Sequence, residues 1–600
     1  MLVVFIALFA SALRPVMATL YSDPSQIPAG TSYSYIIVGA GPGGSVMANR
    51  LSEDSSNRIL LIESGPSDSV NPYIQVPFLA NSLFPTSVSW NYSTVPQASL
   101  GGRQVPYPRG HTLGGSTSIR RRRHQDSMVW TRGPSDDYDA WATAIGDSAL
   151  SWNNMQGIFQ GVENLVPPAD GHDTAGQVTP SIHGTNGPVK ISVQGYPQDF
   201  DSKIYSAVSQ LSEEFPFNQD MSSGNPLGIG YSLYAIGDGK RSSAAAAYLT
   251  PILDQRQNLD ILVNTRVTKV IQTGTSGGLP VFNGVQFAQS ATGSRYALNA
   301  TKDVILSAGA VNTPQILQLS GIGDPDELSK LQITALVNLP DVGKNLQDHV
   351  VLPNVFTVNT SYSNDDLRWN DTLFAANLAQ WDAEKNGPFA TGPSASVGWL
   401  RLPSNSSILA AVTTDPSSGP HSPHIEFVFG DAFASFVAAP PDTGRHMTLA
   451  SNLITPTSRG TVTLASTDPF DAPLIDPAFL STDFDIHTIR EGIKAAKRFA
   501  DAPAWDGYII GPYGDFADAE TDADLEAYAR RNAATVFHPS CTAFMSPADS
   551  GVGVLNPDFT VKKTKGLRVV DASVFPFIPT AHPTAPIYFF AERAAEWITG

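Results

Sequence analysis

Short apolar runs, each closed by glycine or acid, set the frame of this chain. Tyr35-Ile36-Ile37-Val38 is β-branched and unbroken by charge, the pattern of a strand buried on both faces. Gly39, Gly41 and Gly44 follow as G-x-G-x-x-G. Residues 45–51 then take helical apolar spacing, and Ile59-Leu60-Leu61-Ile62 is a second buried run ending in Glu63. Each part has a physical task. Gly39 permits the tight turn out of the strand, Gly41 lets backbone approach a pyrophosphate, and Gly44 lets helix pack on strand. The helix N-terminus offers free N–H groups to phosphate. Glu63, 19 residues past the last glycine, stands where a carboxylate accepts hydrogen bonds from a ribose diol. Strand, glycines, helix, strand and acid occur in register, which predicts a dinucleotide site.

Downstream, the pattern predicts a helix over 151–163, long loops over 166–200 and a helix opening at Ser242 to Tyr248. Strands follow at Leu259–Val263, Arg266–Ile271 and Asp303–Ser307, with a helix from Pro314. Residues 350–520 alternate apolar strands with Pro-rich turns, the pattern of an antiparallel sheet, and end in a helix over 485–503. Gly566–Asp571 reads as a strand ending in a carboxylate and Ile587–Ile598 as a final helix. The expected class is α/β, α+β overall. Beside the dinucleotide unit, a second domain is expected over 166–234 and 346–524, built on a mostly antiparallel sheet flanked by helices.

Composition narrows the setting. Six hundred residues exceed one compact core. A net charge of −18 argues against nucleic acid or an anionic membrane as partner. Leu2 to Leu13 is apolar, too short to span a bilayer, and precedes small residues. It reads as a signal peptide over 1–18, so secretion is expected. Sequons at Asn91, Asn299, Asn359, Asn370 and Asn405 agree with an extracellular glycoprotein. Cys541 is the only cysteine, so no internal disulfide is available.

The chemistry gathers near the C-terminus. His538 lies in the apolar stretch Thr535-Val-Phe-His-Pro539, and His582 in Thr580-Ala-His-Pro-Thr584 just ahead of the last helix. Two histidines near neutral pKa suit removal of an alcohol proton while hydride leaves the carbon.

Gly110-His-Thr-Leu-Gly-Gly-Ser-Thr-Ser-Ile119, Gly309-Ala-Val-Asn-Thr-Pro-Gln-Ile-Leu-Gln-Leu-Ser-Gly-Ile-Gly323 and Val342-Gly-Lys-Asn-Leu-Gln-Asp-His349 are long and specific. With them the chain resembles the glucose–methanol–choline flavoprotein oxidoreductases over nearly its whole mature length. Val166–Asp170, His183–Gly187, Trp399–Ser407 and Phe537-His-Pro539 are most similar to secreted aryl-alcohol oxidases. The resemblance implies FAD, bound in a Rossmann-like domain assembled from 34–165, 235–345 and 525–600, with His538 as general base and His582 orienting the substrate hydroxyl. Cofactor contacts are implied at Gly39, Gly41, Gly44, Glu63, Gly114, Gly115, Ser116, Val267, Asp571, Ala572, Pro583 and Thr584. Ile119 stands where some relatives attach FAD through histidine, which implies a non-covalent flavin. Substrate aromatics are implied at Phe537 and near Phe433 to Phe436, with Ala434 at the gating position; no metal is implied.

One departure stands out. Arg120 to Gln125 is an insertion of about six residues, and Ser127 falls where aryl-alcohol oxidases carry a gating Tyr. Three readings stay open. The first is an oxidase that passes hydride from a primary aryl or allylic alcohol to flavin N5, with dioxygen giving hydrogen peroxide. The second is a sugar or alcohol dehydrogenase with a quinone acceptor. The third is a secreted protein that keeps the fold but is blocked by the insertion. A monomer acting on a small-molecule alcohol is expected.

Overall fold

The computed structural model describes residues 18–79, 86–119, 128–392 and 394–600. Residues 1–17 of the segment expected to be a signal peptide over 1–18, the Arg120–Gln125 run and Ser127 lie outside the described residues.

Two large sheets carry the architecture. The first has strand order Thr19–Tyr21, Leu259–Leu262, Ile59–Ile62, Tyr33–Val38, Tyr296–Leu306, Gly284–Ala288 and Arg266–Ile271. Its central strands are parallel, with Tyr35 to Val38 paired to Ile59 to Ile62. The apolar runs of the sequence are these strands, and Ile36, Ile37 and Ile59 to Leu61 are fully buried.

Tyr296–Leu306 joins two kinds of pairing. Its first half runs antiparallel to Gly284–Ala288, and its second half runs parallel to Tyr33–Val38 and to Leu567–Val569. The register shifts between Ala300 and Asp303, where one pattern gives way to the other. The sequence shows only the apolar second half, because the exposed first half alternates with polar residues.

The second sheet is antiparallel, with order Ile509–Pro512, Val350–Val358, His446–Leu453, Ile425–Gly430, Ser396–Leu400 and Gly228–Tyr231; Ala534–Thr535 also pairs with Val350–Val351. The helix Asp483–Ala500 covers it. Its apolar side, including Ile486, Ile489, Ile493 and Phe499, is buried, and Thr482 caps its start through Asp485 N–H. Each sheet sits in its own large apolar core.

Some local expectations change. Residues 166–200 are not all loop: Val189–Val193 is a strand and a helix starts at Asp199. The strand was hidden by the Gly- and Pro-rich flanks. Ser242 to Tyr248 opens only a single wide turn, Ala245–Leu249, because Pro251 stops an α-helix. The helix expected from Pro314 begins earlier and spans Gly309–Leu319, with Pro314 inside it.

The first and last α-helices of the described residues meet. The helix Pro42–Leu51 packs on the final helix Thr584–Thr599, pinned by Arg50 to Glu592 at 2.7 Å and by Tyr248 Oη to Glu592 at 2.7 Å. This brings the segment holding His582 beside the glycine turn. The five sequon asparagines are all exposed. Among the described residues no helix is long and apolar enough to cross a membrane.

Candidate active site

A cleft of about 2040 Å³, its mouth included, runs from Glu63 to the two histidines. Its lining is continuous from the glycine turn at Gly39 and Gly41, past Gly115, Ser116 and Asp571, to His538 and His582, so one cleft joins the dinucleotide turn to the histidines.

The dinucleotide end is built by close backbone approach. Gly39 has φ +96, and a Cβ there would stand 2.5 Å from Ser307 O. A Cβ on Gly44 would stand 1.9 Å from Gly39 O, so the helix lies directly on the turn. Gly41 differs: a Cβ there would meet no protein atom within 4 Å, because it faces the open cleft at the start of the helix. Gly115 packs against Gly41, 2.8 Å from its own would-be Cβ to Gly41 Cα, and continues the wall with Ser116. Ser307 Oγ is buried without a partner at the same place. Glu63 receives N–H groups of Ala40 and Gly65, each at 2.8 Å. A glycine cradle, a helix N-terminus, an orphaned hydroxyl and a terminal carboxylate fit the pyrophosphate and ribose of FAD.

Of the other expected contacts, Val267, Asp571, Ala572, Pro583 and Thr584 line the cleft, while Gly114 lies behind the wall against Ser118. The Asp571 carboxylate is itself engaged. It accepts from Gly309 N–H at 2.9 Å and Thr313 Oγ1 at 2.6 Å, and from Ser573 N–H and Oγ. It ties the last strand to the helix Gly309–Leu319.

At the other end, His538 and His582 meet with ring centroids 4.9 Å apart. His582 Nε2 lies 2.6 Å from Glu426 Oε1, and Glu426 Oε2 accepts from Asn452 at 2.8 Å. The His582 backbone N–H donates to Thr131 Oγ1.

His538 is held by its backbone. Its N–H donates to Asp348 Oδ1 at 2.9 Å. Asp348 Oδ2 also accepts from Tyr107 Oη and Thr535 Oγ1, each at 2.6 Å. Arg109 donates to Phe537 O at 2.6 Å. Phe537 sits at φ +68, a left-handed conformation that L-residues adopt only under constraint. Its N–H bond to Thr535 and the Arg109 clamp supply that constraint.

Burial raises the Asp348 carboxyl to about 6, against its hydrogen bonds and Arg109. Burial, helped by the nearby His582, His349 and Arg109, pushes His538 well below the usual imidazole range. His538 is therefore a neutral imidazole, able to accept a proton.

Phe537 lines the cleft, and Phe436 stands beside it with centroids 6.1 Å apart. Phe433 is not a cleft-lining residue; it is buried against His446 and Tyr513. Ala434, its neighbour, is also buried and donates its N–H to Thr448. The sequence alone assigns no role to Glu426, Tyr107, Arg109, Asp348 or His349. Glu426 left a trace: an acid within the wholly buried strand Ile425–Gly430 must have a partner.

The chain matches family models described as GMC oxidoreductase over residues 33–351 and 456–591. It is 39% identical to dehydrogenase eriK of Hericium erinaceus, covering 97% of this chain and 96% of that protein. It is 37% identical to pyranose dehydrogenase 3 of Leucoagaricus meleagris, covering 96% and 94%. A formate oxidase of Aspergillus oryzae, solved in a study of FAD modification, superposes with TM-score 0.85 at 27% identity, covering 95% and 98%. A fungal aryl-alcohol oxidase superposes with TM-score 0.78 at 26% identity, covering 94% and 98%. Full-length identity is thus higher to these dehydrogenases than to that oxidase. The chain belongs to the GMC oxidoreductase family.

Proposed function

We propose that this protein is an FAD-dependent oxidoreductase of CH–OH donors, and the observation that carries the reading is the buried pair His538 and His582 at the end of the glycine-built cleft. FAD, when bound, accepts hydride at N5. Gly41, Gly115, Ser116 and the helix start at Pro42 would hold its pyrophosphate, and Glu63 its ribose. Ile119 offers no side chain for covalent attachment, which supports a non-covalent flavin. His538, kept neutral by burial, takes the donor hydroxyl proton as the carbon loses hydride. His582, fixed by Glu426, orients the hydroxyl. The segments 34–165, 235–345 and 525–600 form the FAD domain, and 166–234 with 346–524 the donor side. The leader and the exposed sequons support secretion.

Two donors and acceptors compete. The full-length likeness to proteins named pyranose dehydrogenase supports a sugar donor and the dehydrogenase reading, for which we take a quinone as acceptor. The ring of Phe537 at the cleft, with Phe436 packed beside it, supports a benzylic or allylic alcohol, with dioxygen as acceptor. The test is anaerobic reduction of the flavin by D-glucose or by p-methoxybenzyl alcohol, followed by air or benzoquinone. Reoxidation by quinone but not air supports the dehydrogenase; peroxide on admitting air supports the oxidase. Failure of every sugar and alcohol to reduce bound flavin defeats the reading and favours the blocked fold.

A further inference from the structure

His349 ends the Val342–His349 motif, immediately before the strand Val350–Val358, and its ring meets that of His538. The centroids are 5.2 Å apart at 82°, and the two Nδ1 atoms are 3.0 Å apart. Two ring nitrogens at hydrogen-bond distance share one hydrogen: one donates and the other accepts. Burial holds both rings neutral, His349 down to about 3 and His538 well below its ordinary range. Each ring therefore carries a single N–H.

The far side of His349 decides which ring donates. Backbone groups of Ile454 and Pro579 face it and favour its protonated form. Proline has no N–H, so the Pro579 group is its carbonyl, which only accepts. The Ile454 N–H is spent on His424 O, which leaves its carbonyl; with Nδ1 turned to His538, the nitrogen left for these carbonyls is Nε2, which is buried and outside normal hydrogen-bond geometry. A lone pair there would oppose carbonyl oxygen; an N–H is drawn to it. Carbonyls on that side therefore favour the tautomer with hydrogen on His349 Nε2 and a lone pair on Nδ1.

We propose that His349 is a positioning residue that holds His538 in the Nδ1–H tautomer, leaving the His538 Nε2 lone pair to take the donor's hydroxyl proton. This rests on the reading of His538 as the base. The arrangement has the logic of an orienting partner in a catalytic triad, with a neutral ring in place of a carboxylate. The difference matters. A carboxylate at this spot would fix the same tautomer and also raise the basicity of His538. A neutral imidazole fixes the tautomer without adding negative charge. The charged groups around His538 are otherwise Arg109, on one side, and Asp348, whose carboxylate binds the His538 backbone N–H. When Nε2 takes the proton, the Nδ1–H bond to His349 becomes charge-assisted and strengthens.

The test compares the holoenzyme with His349→Leu, which removes the acceptor, and His349→Asn, whose amide oxygen restores one. Nitrogen-15 NMR of ring-labelled histidine reads the tautomer without turnover. The expected wild-type spectrum has His538 protonated at Nδ1 and bare at Nε2, and His349→Leu shifts hydrogen to Nε2. Flavin reduction by the best donor slows roughly 10²-fold in His349→Leu, the low end for a lost general base, with FAD content unchanged, and largely recovers in His349→Asn. A wild-type His538 protonated at Nε2 overturns the proposal. So does a His349→Leu enzyme with wild-type tautomer, rate and pH profile. If His349→Leu loses FAD, the wild-type spectrum and His349→Asn still decide. If no donor reduces the wild type, the functional reading fails while the tautomer result stands.

Discussion

Glu426 Oε1 lies 2.6 Å from His582 Nε2, and both side chains are buried. The acid comes from the middle of the antiparallel sheet and the histidine from the loop before the last helix, so this contact joins the two halves of the site. A hydrogen bond to a charged group contributes about 1.5–3 kcal/mol, and each 1.4 kcal/mol is tenfold in rate. Glu426→Gln should therefore lower the rate of flavin reduction by roughly 10–100-fold while FAD stays bound. Stopped-flow reduction at saturating donor checks it, and a wild-type rate in a flavin-loaded variant refutes it.

The glycine turn makes a split prediction. A methyl on Gly41 enters open cleft, whereas one on Gly44 enters backbone at 1.9 Å. Gly41→Ala should fold with an unchanged secondary-structure spectrum but purify with much less flavin. Gly44→Ala should destabilise the fold itself, by about 1–3 kcal/mol or more as overpacking against rigid backbone. The flavin-to-protein absorbance ratio and the apparent melting temperature separate the two.

Asp348 gathers Tyr107, Thr535 and the His538 N–H around one buried carboxylate. Asp348→Ala strands these donors, at about 1–3 kcal/mol for each left buried and unpaired. The expected outcome is a lower apparent melting temperature together with slower flavin reduction, because the His538 backbone is released. Asp348→Asn, which keeps an acceptor, should fall between. An alanine variant as stable and active as the wild type would show that the segment holds itself.

Away from the cleft, Arg132, Glu163, His183 and Asp220 form a buried charge network, with His183 Nδ1 2.8 Å from Glu163 and Nε2 3.1 Å from Asp220. Burial alone would lower the His183 pKa, but the bonds to Asp220 and Glu163 outweigh it and raise it to about 9 from 6.5. Burial alone would raise Glu163, but Arg132 and His183 outweigh it and lower it to about 2 from 4.5. The histidine's stabilisation is present below pH 6.5 and is lost as pH rises through 9. The acid's is present above pH 4.5 and is lost as pH falls through 2. Between pH 4.5 and 6.5 both are intact. Melting temperature against pH should fall on both sides of that window, and His183→Gln should flatten the alkaline fall. An alkaline slope unchanged in the variant would remove His183 as its source.

What the sequence made legible follows from range. The dinucleotide turn was readable because strand, glycines, helix and acid lie within residues 35–63, where one local pattern does one job. His538 and His582 stood out because they sit in short motifs. The groups that hold them did not. Asp348 and Tyr107 are 241 residues apart, and Glu426 is 156 residues from His582. Such pairs exist only through tertiary structure. The two-way pairing of Tyr296–Leu306 was hidden for a different reason: its exposed half carries no continuous apolar signal.

The most direct measurement is the rate of anaerobic flavin reduction by the best CH–OH donor in the wild type and in His538→Ala, at matched FAD content. The account predicts rapid bleaching of the wild-type flavin and a loss of roughly 10²–10⁴-fold in the variant, the effect of removing a positioned base. Bleaching at the wild-type rate in His538→Ala would contradict it.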